Sequence, residues 1–291
     1  MPLFTAEHAL AARHLINLAL AEDLGSTGDR TTESLIPDGL KAHADFVFRQ
    51  DGILAGMPVV KLIVDRFPGL HFLPIFHDGS FVSEKSVIGR LTGPLRSILA
   101  VERTALNFLQ RMSGVSTKTY RFTELIRGTK AVVLDTRKTS PGWRLLDKYA
   151  VDSGGGTNHR VGLYDGILIK DNHLACLGPD AILKAIKEVR AHRINDHLPL
   201  EIEVDSLDQF DRALPLNPDI ILLDNMHTDL MSEAVRRRNR ISPHTQLEAS
   251  GGINEQTIRA VAETGVDRIS VGAITHSAPS LDIALDMNPN R

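Results

Sequence analysis

The 291-residue chain has one cysteine, Cys176, and one tryptophan, Trp143. A single thiol excludes an intrachain disulfide and a cysteine-built zinc cage and suits a reducing compartment, so the cytoplasm is the expected location. Charge of one sign is not in excess. Against 36 Asp and Glu stand 33 Lys and Arg, a formal net charge of −3, which gives no overall pull toward nucleic acid or an anionic membrane. No run approaches the roughly 18 uncharged apolar residues of a membrane span. Nor do residues 1–10, which include Glu7 and His8, read as the basic-then-apolar leader of a secreted protein. Internal repeats and low-complexity tracts are absent as well. What is present, 42% hydrophobic and 24% charged residues, is ordinary globular composition, with length for one large or two ordinary domains.

Periodicity divides the chain. From Thr5 to Asp23, Ala11, Leu15 and Leu18 recur at spacings of four and three, with Thr5 placed as a cap and Glu7 in the first turn, which predicts an amphipathic helix. Residues 43–93 change to short apolar or alternating runs (44–48, 71–76, 87–91) punctuated by Gly52, Gly56, Gly79 and Gly93, the pattern of a small antiparallel sheet. A helix is expected over Glu102–Met112, stopped by Ser113-Gly114, with a domain boundary near 115. Beyond it six runs of strand length occur at 131–134, 166–169, 200–204, 219–223, 246–249 and 268–271. Helical patterns follow several of them, clearest at 180–193, 206–214, 228–238 and 254–264, an alternation that predicts a parallel sheet with crossover helices. Eight such units close a standard βα barrel. Six, with no Gly-rich dinucleotide turn after the first strand, favour an incomplete six-stranded βα barrel over an open doubly wound sheet. The expected α/β organisation is an N-terminal α+β sandwich domain (1–115), the barrel (116–275), and a C-terminal segment (276–291) returning to the first domain.

Most of the expected strands end in chemistry. The first runs into Asp135-Thr136-Arg137-Lys138, the second into Lys170-Asp171-Asn172-His173, the third carries Glu203 and Asp205, and the fourth ends in Asp224-Asn225. The last two end in Ser250-Gly251-Gly252 and Gly272. In a βα barrel the C-terminal strand ends converge on one face and form the active site. A Ser-Gly-Gly turn just before a helix offers backbone N–H groups at the positive end of the dipole, so a phosphate-bearing ligand is expected there. Arg137, Lys138, Arg160 and Lys170, with His159 beside them, suit a compact substrate with more than one anionic group. Glu203 and Asp224 have three open roles: ribose hydroxyls, a divalent ion held through water, or stabilisation of a positive centre. The Gly154-Gly155-Gly156 run reads as a loop shaped around a ligand. Plainer readings suit the rest: Arg236–Arg240 as a solvated helix end, Cys176 as structural, and Trp143 as packing no less than binding.

Taken in order, these blocks resemble the quinolinate phosphoribosyltransferase family. The resemblance is carried by Thr136-Arg137-Lys138-Thr139-Ser140-Pro141-Gly142, Gly154-Gly155-Gly156-Thr157-Asn158-His159-Arg160 and Leu168-Ile169-Lys170-Asp171-Asn172-His173. Glu22-Asp23-Leu24-Gly25, Glu102-Arg103-Thr104, Ile202-Glu203-Val204-Asp205, Leu223-Asp224-Asn225, Glu248-Ala249-Ser250-Gly251-Gly252 and Ser270-Val271-Gly272-Ala273 extend it over nearly the whole chain. Departures are small: Ser116 and Ser140 stand where Ala and Thr are expected, and Trp143 where an aliphatic residue is usual. The resemblance implies transfer of phosphoribose from phosphoribosyl pyrophosphate to quinolinate with loss of CO2, giving nicotinate mononucleotide in de novo NAD biosynthesis. It implies catalytic roles for Lys138, Lys170, Glu203 and Asp224. Quinolinate would be held by Arg103, Arg137, His159, Arg160 and Lys170, and the donor by Lys138, Lys170, Glu203, Asp224, Ser250, Gly251, Gly252 and Gly272. Magnesium would accompany the pyrophosphate, its protein ligands left open, and a homodimer or higher homo-oligomer would let Arg103 complete the neighbouring site. The alternatives are a paralogous pyrophosphorylase acting on another substrate, a Schiff-base barrel aldolase using Lys170, and a non-catalytic ligand-binding barrel.

Overall fold

The computed structural model describes residues 2–192 and 197–288. In chain order the elements begin with α1 (Ala6–Leu24), α2 (Arg30–Leu35), β1 (Lys41–Phe48), β2 (Gly52–Ile53) and α3 (Met57–Val64). Next come β3 (His71–Pro74), β4 (Phe81–Val82), β5 (Val87–Pro94) and the long α4 (Leu95–Leu125). Then β6 (Val132–Leu134), α5 (Arg144–Ser153), β7 (Ile167–Ile169), α6 (Asp171–Ala175), α7 (Ala181–Ala191), β8 (Leu200–Val204) and α8 (Leu207–Ala213) follow. The chain ends with β9 (Ile220–Asp224), α9 (Thr228–Ile241), β10 (Gln246–Ser250), α10 (Ile258–Glu263), β11 (Arg268–Ser270), α11 (Ala273–His276) and β12 (Ile283–Asn288). By contacts these form two interleaved units: Met1–Tyr120 with Lys138–Gly156 and Ile274–Arg291, and Arg121–Arg137 with Thr157–Ala273. Sequence patterning draws one boundary near 115; in the structure α4 runs past that point, and α5 packs against α1.

In the first unit Thr5 caps α1 as expected, and His8 closes a capping box in the place usually taken by Glu or Gln. An antiparallel sheet in the order β12-β1-β5-β3 buries Phe46, Phe48, Ile88 and Leu91 along with Ile63 of α3. The expected helix stop at Ser113-Gly114 does not occur. Ser113 Oγ instead accepts the N–H of Ala55 at 3.1 Å, and Gly114 lets the backbone of Pro279 approach so closely that a Cβ would lie 2.0 Å from its carbonyl oxygen. The two small residues are there for packing, not termination. The same holds for the glycine run after α5: a Cβ on Gly154 would lie 2.4 Å from Ser116 O, and one on Gly156 would lie 2.7 Å from Thr119. Packing against α4 accounts for these two glycines without a ligand. Trp143 also packs, stacked at 4.9 Å on Phe108 and lying under the Arg111 guanidinium at 5.3 Å.

The second unit is the six-stranded parallel sheet, in the order β6-β11-β10-β9-β8-β7. A single parallel bridge, Leu134 to Thr157, continues it beyond β6. His159, two residues on, touches Glu248 of β10 and Glu201 of β8. Strand β8 is four places from β6, about 19 Å in a flat sheet at the usual strand spacing, so the sheet curls round into the expected incomplete barrel. On the outside, Arg238 of α9 is not the solvated residue that the arginine run suggests: it is buried and bonded to Asp267 and to Thr245 O. Cys176 is exposed.

Candidate active site

Strands of a parallel sheet buried on both faces read as nearly continuous apolar runs. Here β8 reads Glu-Ile-Glu and β10 Gln-Leu-Glu-Ala-Ser. Register places Glu203, Leu222, Glu248 and Arg268 in one row, and the two-residue period adds Glu201, Asp224, Ser250 and Ser270 to that face. The other face carries Ile202, Val204, Ile221, Leu223, Leu247, Ala249 and Ile269, all buried. One side of the sheet supplies the core and the other a polar interior, which is what a binding site inside a barrel needs.

Because the strands are parallel, their C-terminal ends lie together. Arg137 follows β6, Lys170 follows β7, Asp224 and Ser250 are the last residues of β9 and β10, and Gly272 comes just after β11. Lys170 Nζ donates to Glu203 Oε2 at 2.7 Å, and Asn225 Nδ2 donates to Asp224 at 2.8 Å. Gly251 and Gly252 have φ of +94° and +62°, the left-handed region that glycine occupies without strain. At Gly251 a Cβ would also meet Asn225 Oδ1 at 2.2 Å. The glycines do not open a helix, however: α10 begins only at Ile258 and is six residues long. Phosphate binding there would rest on loop N–H groups rather than a helix dipole.

Arg160 is half-buried, and its Nη1 donates to Gly166 O at 3.1 Å. Burial, and next the nearby Arg137 charge, hold its pKa below the usual guanidinium value. Two like charges kept close and partly desolvated are an arrangement that an incoming anion would relieve. Lys170 is 44% exposed with its charge paired to Glu203, the reverse of the desolvated amine on which an imine-forming aldolase depends. Arg103 and Lys138 belong to the other unit and are both exposed. The backbone of Lys138 is fixed there, its carbonyl accepting from Thr275 Oγ1 at 2.9 Å.

Below the strand ends lies a cluster that strand-end reasoning misses. His159 Nε2 is 3.1 Å from Glu201 Oε2 and 3.3 Å from Glu248 Oε1. Glu248 also accepts from Arg268 Nε at 2.8 Å and Ser270 Oγ at 2.5 Å. Burial works against a proton on His159, but the hydrogen bonds and charges of the two carboxylates favour it by more, so the three groups together hold a proton tightly. Burial pushes Glu201 up, with Glu248 adding to it, while bonds from His159, Ser270 and Arg268 hold Glu248 below the ordinary carboxylate range despite its burial. At the N-terminal ends of the strands a cavity of about 510 Å3 opens beside this cluster, with Arg160, Ile167, Glu201, His244 and Arg268 among its lining residues. The alternation in β8 and β10 was the available signal; that the curl of the sheet brings both glutamates to His159 was not.

Two family models match the chain: the quinolinate phosphoribosyl transferase N-terminal domain over 29–113 and its C-terminal domain over 115–286. A nicotinate-nucleotide pyrophosphorylase [carboxylating] of Mycobacterium leprae is 42% identical, covering 95% of this chain and 97% of the relative. A probable enzyme of the same name from Bacillus subtilis is 39% identical, with coverage of 96% and 94%. The crystal structure of NadC from Streptococcus pyogenes superposes with a TM-score of 0.90 at 35% identity, covering 96% and 97% of the two chains. With both domains matched and a relative this similar aligned over almost the full length of each protein, the chain belongs to the quinolinate phosphoribosyl transferase family.

Proposed function

We propose that this protein transfers phosphoribose from phosphoribosyl pyrophosphate to the ring nitrogen of quinolinate, releasing pyrophosphate and CO2 and forming nicotinate mononucleotide. The observation that carries this reading is the half-buried Arg137–Arg160 pair in the same barrel as Lys170, Glu203, Asp224 and the Ser250-Gly251-Gly252 turn. Quinolinate is a dianion and the donor carries several more negative charges, so bringing them together demands a fixed basic surface. Arg137, Arg160 and Lys170 take the two carboxylates. Loop N–H groups at Gly251, Gly252 and Gly272, with Ser250, take the 5′-phosphate. As pyrophosphate leaves, positive charge grows on the ribose, and the carboxylates of Glu203 and Asp224 stabilise it. Lys138 balances the leaving group. Decarboxylation then places negative charge at ring C2, which the newly formed pyridinium offsets, so no side-chain nucleophile is required.

Glu203 and Asp224 are hard oxygen donors of the kind magnesium takes, and an ion accompanying the donor would neutralise charge on the departing pyrophosphate when bound. We place the active unit in a dimer, Arg103 of one chain completing the site of the other. The exposed Cys176 thiol suits a reducing cytoplasm, and no described helix is long and apolar enough to cross a membrane. The decisive experiment mixes purified protein, phosphoribosyl pyrophosphate and quinolinate, and follows CO2 and nicotinate mononucleotide. Nicotinate in place of quinolinate leaves cations unpaired in the pocket and is expected to turn over at least about a hundredfold less efficiently. Comparable turnover of the two acids, or pyrophosphate release without CO2, would assign the chain to a paralogous activity.

A further inference from the structure

Both ring nitrogens of His159 are engaged inside the protein. Nε2 faces Glu201 and Glu248, and Nδ1 accepts the backbone N–H of Arg160 at 2.8 Å. The backbone N–H of His159 itself donates to Asp135 Oδ1 at 2.7 Å, on a side chain that is fully buried. The imidazole thus ties β8 and β10 to the residue that carries one of the two guanidiniums of the anion site. Glu248 is fixed in turn by Arg268 and Ser270 of β11. We propose that Glu201 and Glu248 are positioning residues that act through His159 to set the backbone of Arg160, and that His159 supports the quinolinate site without itself gripping a carboxylate.

The charged groups around the imidazole are Asp135 after β6, Glu201 on β8, Glu248 on β10, Arg268 on β11 and the adjacent Arg160. Together they fix where protons go. A ring protonated on both nitrogens would turn an N–H toward the Arg160 N–H, losing the 2.8 Å bond and displacing Arg160. Nε2 therefore carries the only ring proton and shares it between the glutamates. Glu201 Oε2 takes its share of that N–H, while Glu201 Oε1 is buried, lacks a hydrogen-bond partner within the protein and belongs to a residue on the cavity wall.

Two substitutions separate the nitrogens. Asn places an acceptor near Nδ1 and drops the donor at Nε2, whereas Gln reaches the glutamates with a donor and leaves Arg160 N–H without an acceptor. His159→Asn is expected to keep the quinolinate KM within about threefold of wild type, and His159→Gln to raise it about tenfold or more, the factor that one lost hydrogen bond gives. The KM for phosphoribosyl pyrophosphate stays unchanged in both. Glu248→Gln, which removes the charge that Arg268 and His159 share, raises the quinolinate KM in the same selective way. If His159→Gln matches or surpasses His159→Asn, or if both KM values rise together, His159 contacts substrate or merely holds the fold, and the proposal fails. A second readout needs neither substrate nor a folded variant: nitrogen-15 NMR of the wild-type histidine rings should show Nδ1 of His159 unprotonated from about pH 6 to pH 8. A proton on Nδ1 in that range overturns the assignment. The kinetic arm rests on the proposed reaction, but the NMR arm does not, so an enzyme inactive with quinolinate and an unprotonated Nδ1 would refute the first reading and leave this one standing.

Discussion

At the scale of single residues, the site is a problem of paired and unpaired charge. Arg160 donates one bond to Gly166 O and feels the like charge of Arg137 together with the opposite charges of Glu201 and Asp165. Its removal is expected to weaken quinolinate binding by about 1.5–3 kcal/mol, the worth of a charge-assisted bond, with little effect on the donor. Steady-state kinetics on Arg160→Ala check this, and equal losses for both substrates would remove Arg160 from the carboxylate site. The buried cluster makes a separate prediction in pH. Burial and the neighbouring Glu248 charge hold the Glu201 carboxyl above the ordinary carboxylate range. The stability its proton contributes is therefore complete below the ordinary carboxylate value and is lost as pH rises through the folded one. Melting temperature should fall with rising pH in the wild type and less steeply in Glu201→Gln, which cannot release that proton. Parallel curves would show that the proton is not held there.

Secondary-structure elements show which parts of the fold are legible in the residues and which are not. The six barrel strands are, because each is a short apolar or alternating run bounded by turn residues, and β8 occurs at the expected 200–204. Arg137, Lys170 and Asp224 were legible for the same reason: a charged residue directly after such a run stands at a strand end. Helix α4 was not, since Ser113-Gly114 reads as a stop by local chemistry and only the partner backbone at Ala55 and Pro279 shows why small residues sit mid-helix. Helix α5 hid for another reason: it buries Asp147 and Lys148, and the Asp147 carboxylate, paired with Arg111 at 2.9 Å, does not read as core in sequence. The packing account of Gly114 reverses an ordinary sign. In a helix interior Gly→Ala usually stabilises by about 0.5–1 kcal/mol, but a Cβ 2.0 Å from Pro279 O should make Gly114→Ala destabilising by about 1–3 kcal/mol, the usual cost of overpacking. Urea denaturation decides between the two signs, and a stabilised variant would restore the local reading.

At the scale of the whole molecule, the open matter is which chain supplies Arg103. It lies exposed on α4 in the first unit, whereas Lys170 follows a strand of the second. If Arg103 completes a neighbour's site, then Arg103→Ala and Lys170→Ala homodimers are each inactive in both sites. A mixed dimer, however, has one site with both defects and one with neither. Random exchange of equal amounts makes about half the dimers mixed, each with one intact site of two, so activity should return to roughly a quarter of wild type by the symmetry of a two-fold assembly. Exchange can be verified independently by mass spectrometry of differently tagged subunits. Were Arg103 to serve its own chain's site, each mixed dimer would hold one site lacking Arg103 and one lacking Lys170, and no activity would return however complete the exchange. The two arrangements thus differ by recovery against none, a contrast that does not depend on how large either single defect is, provided each variant alone is inactive.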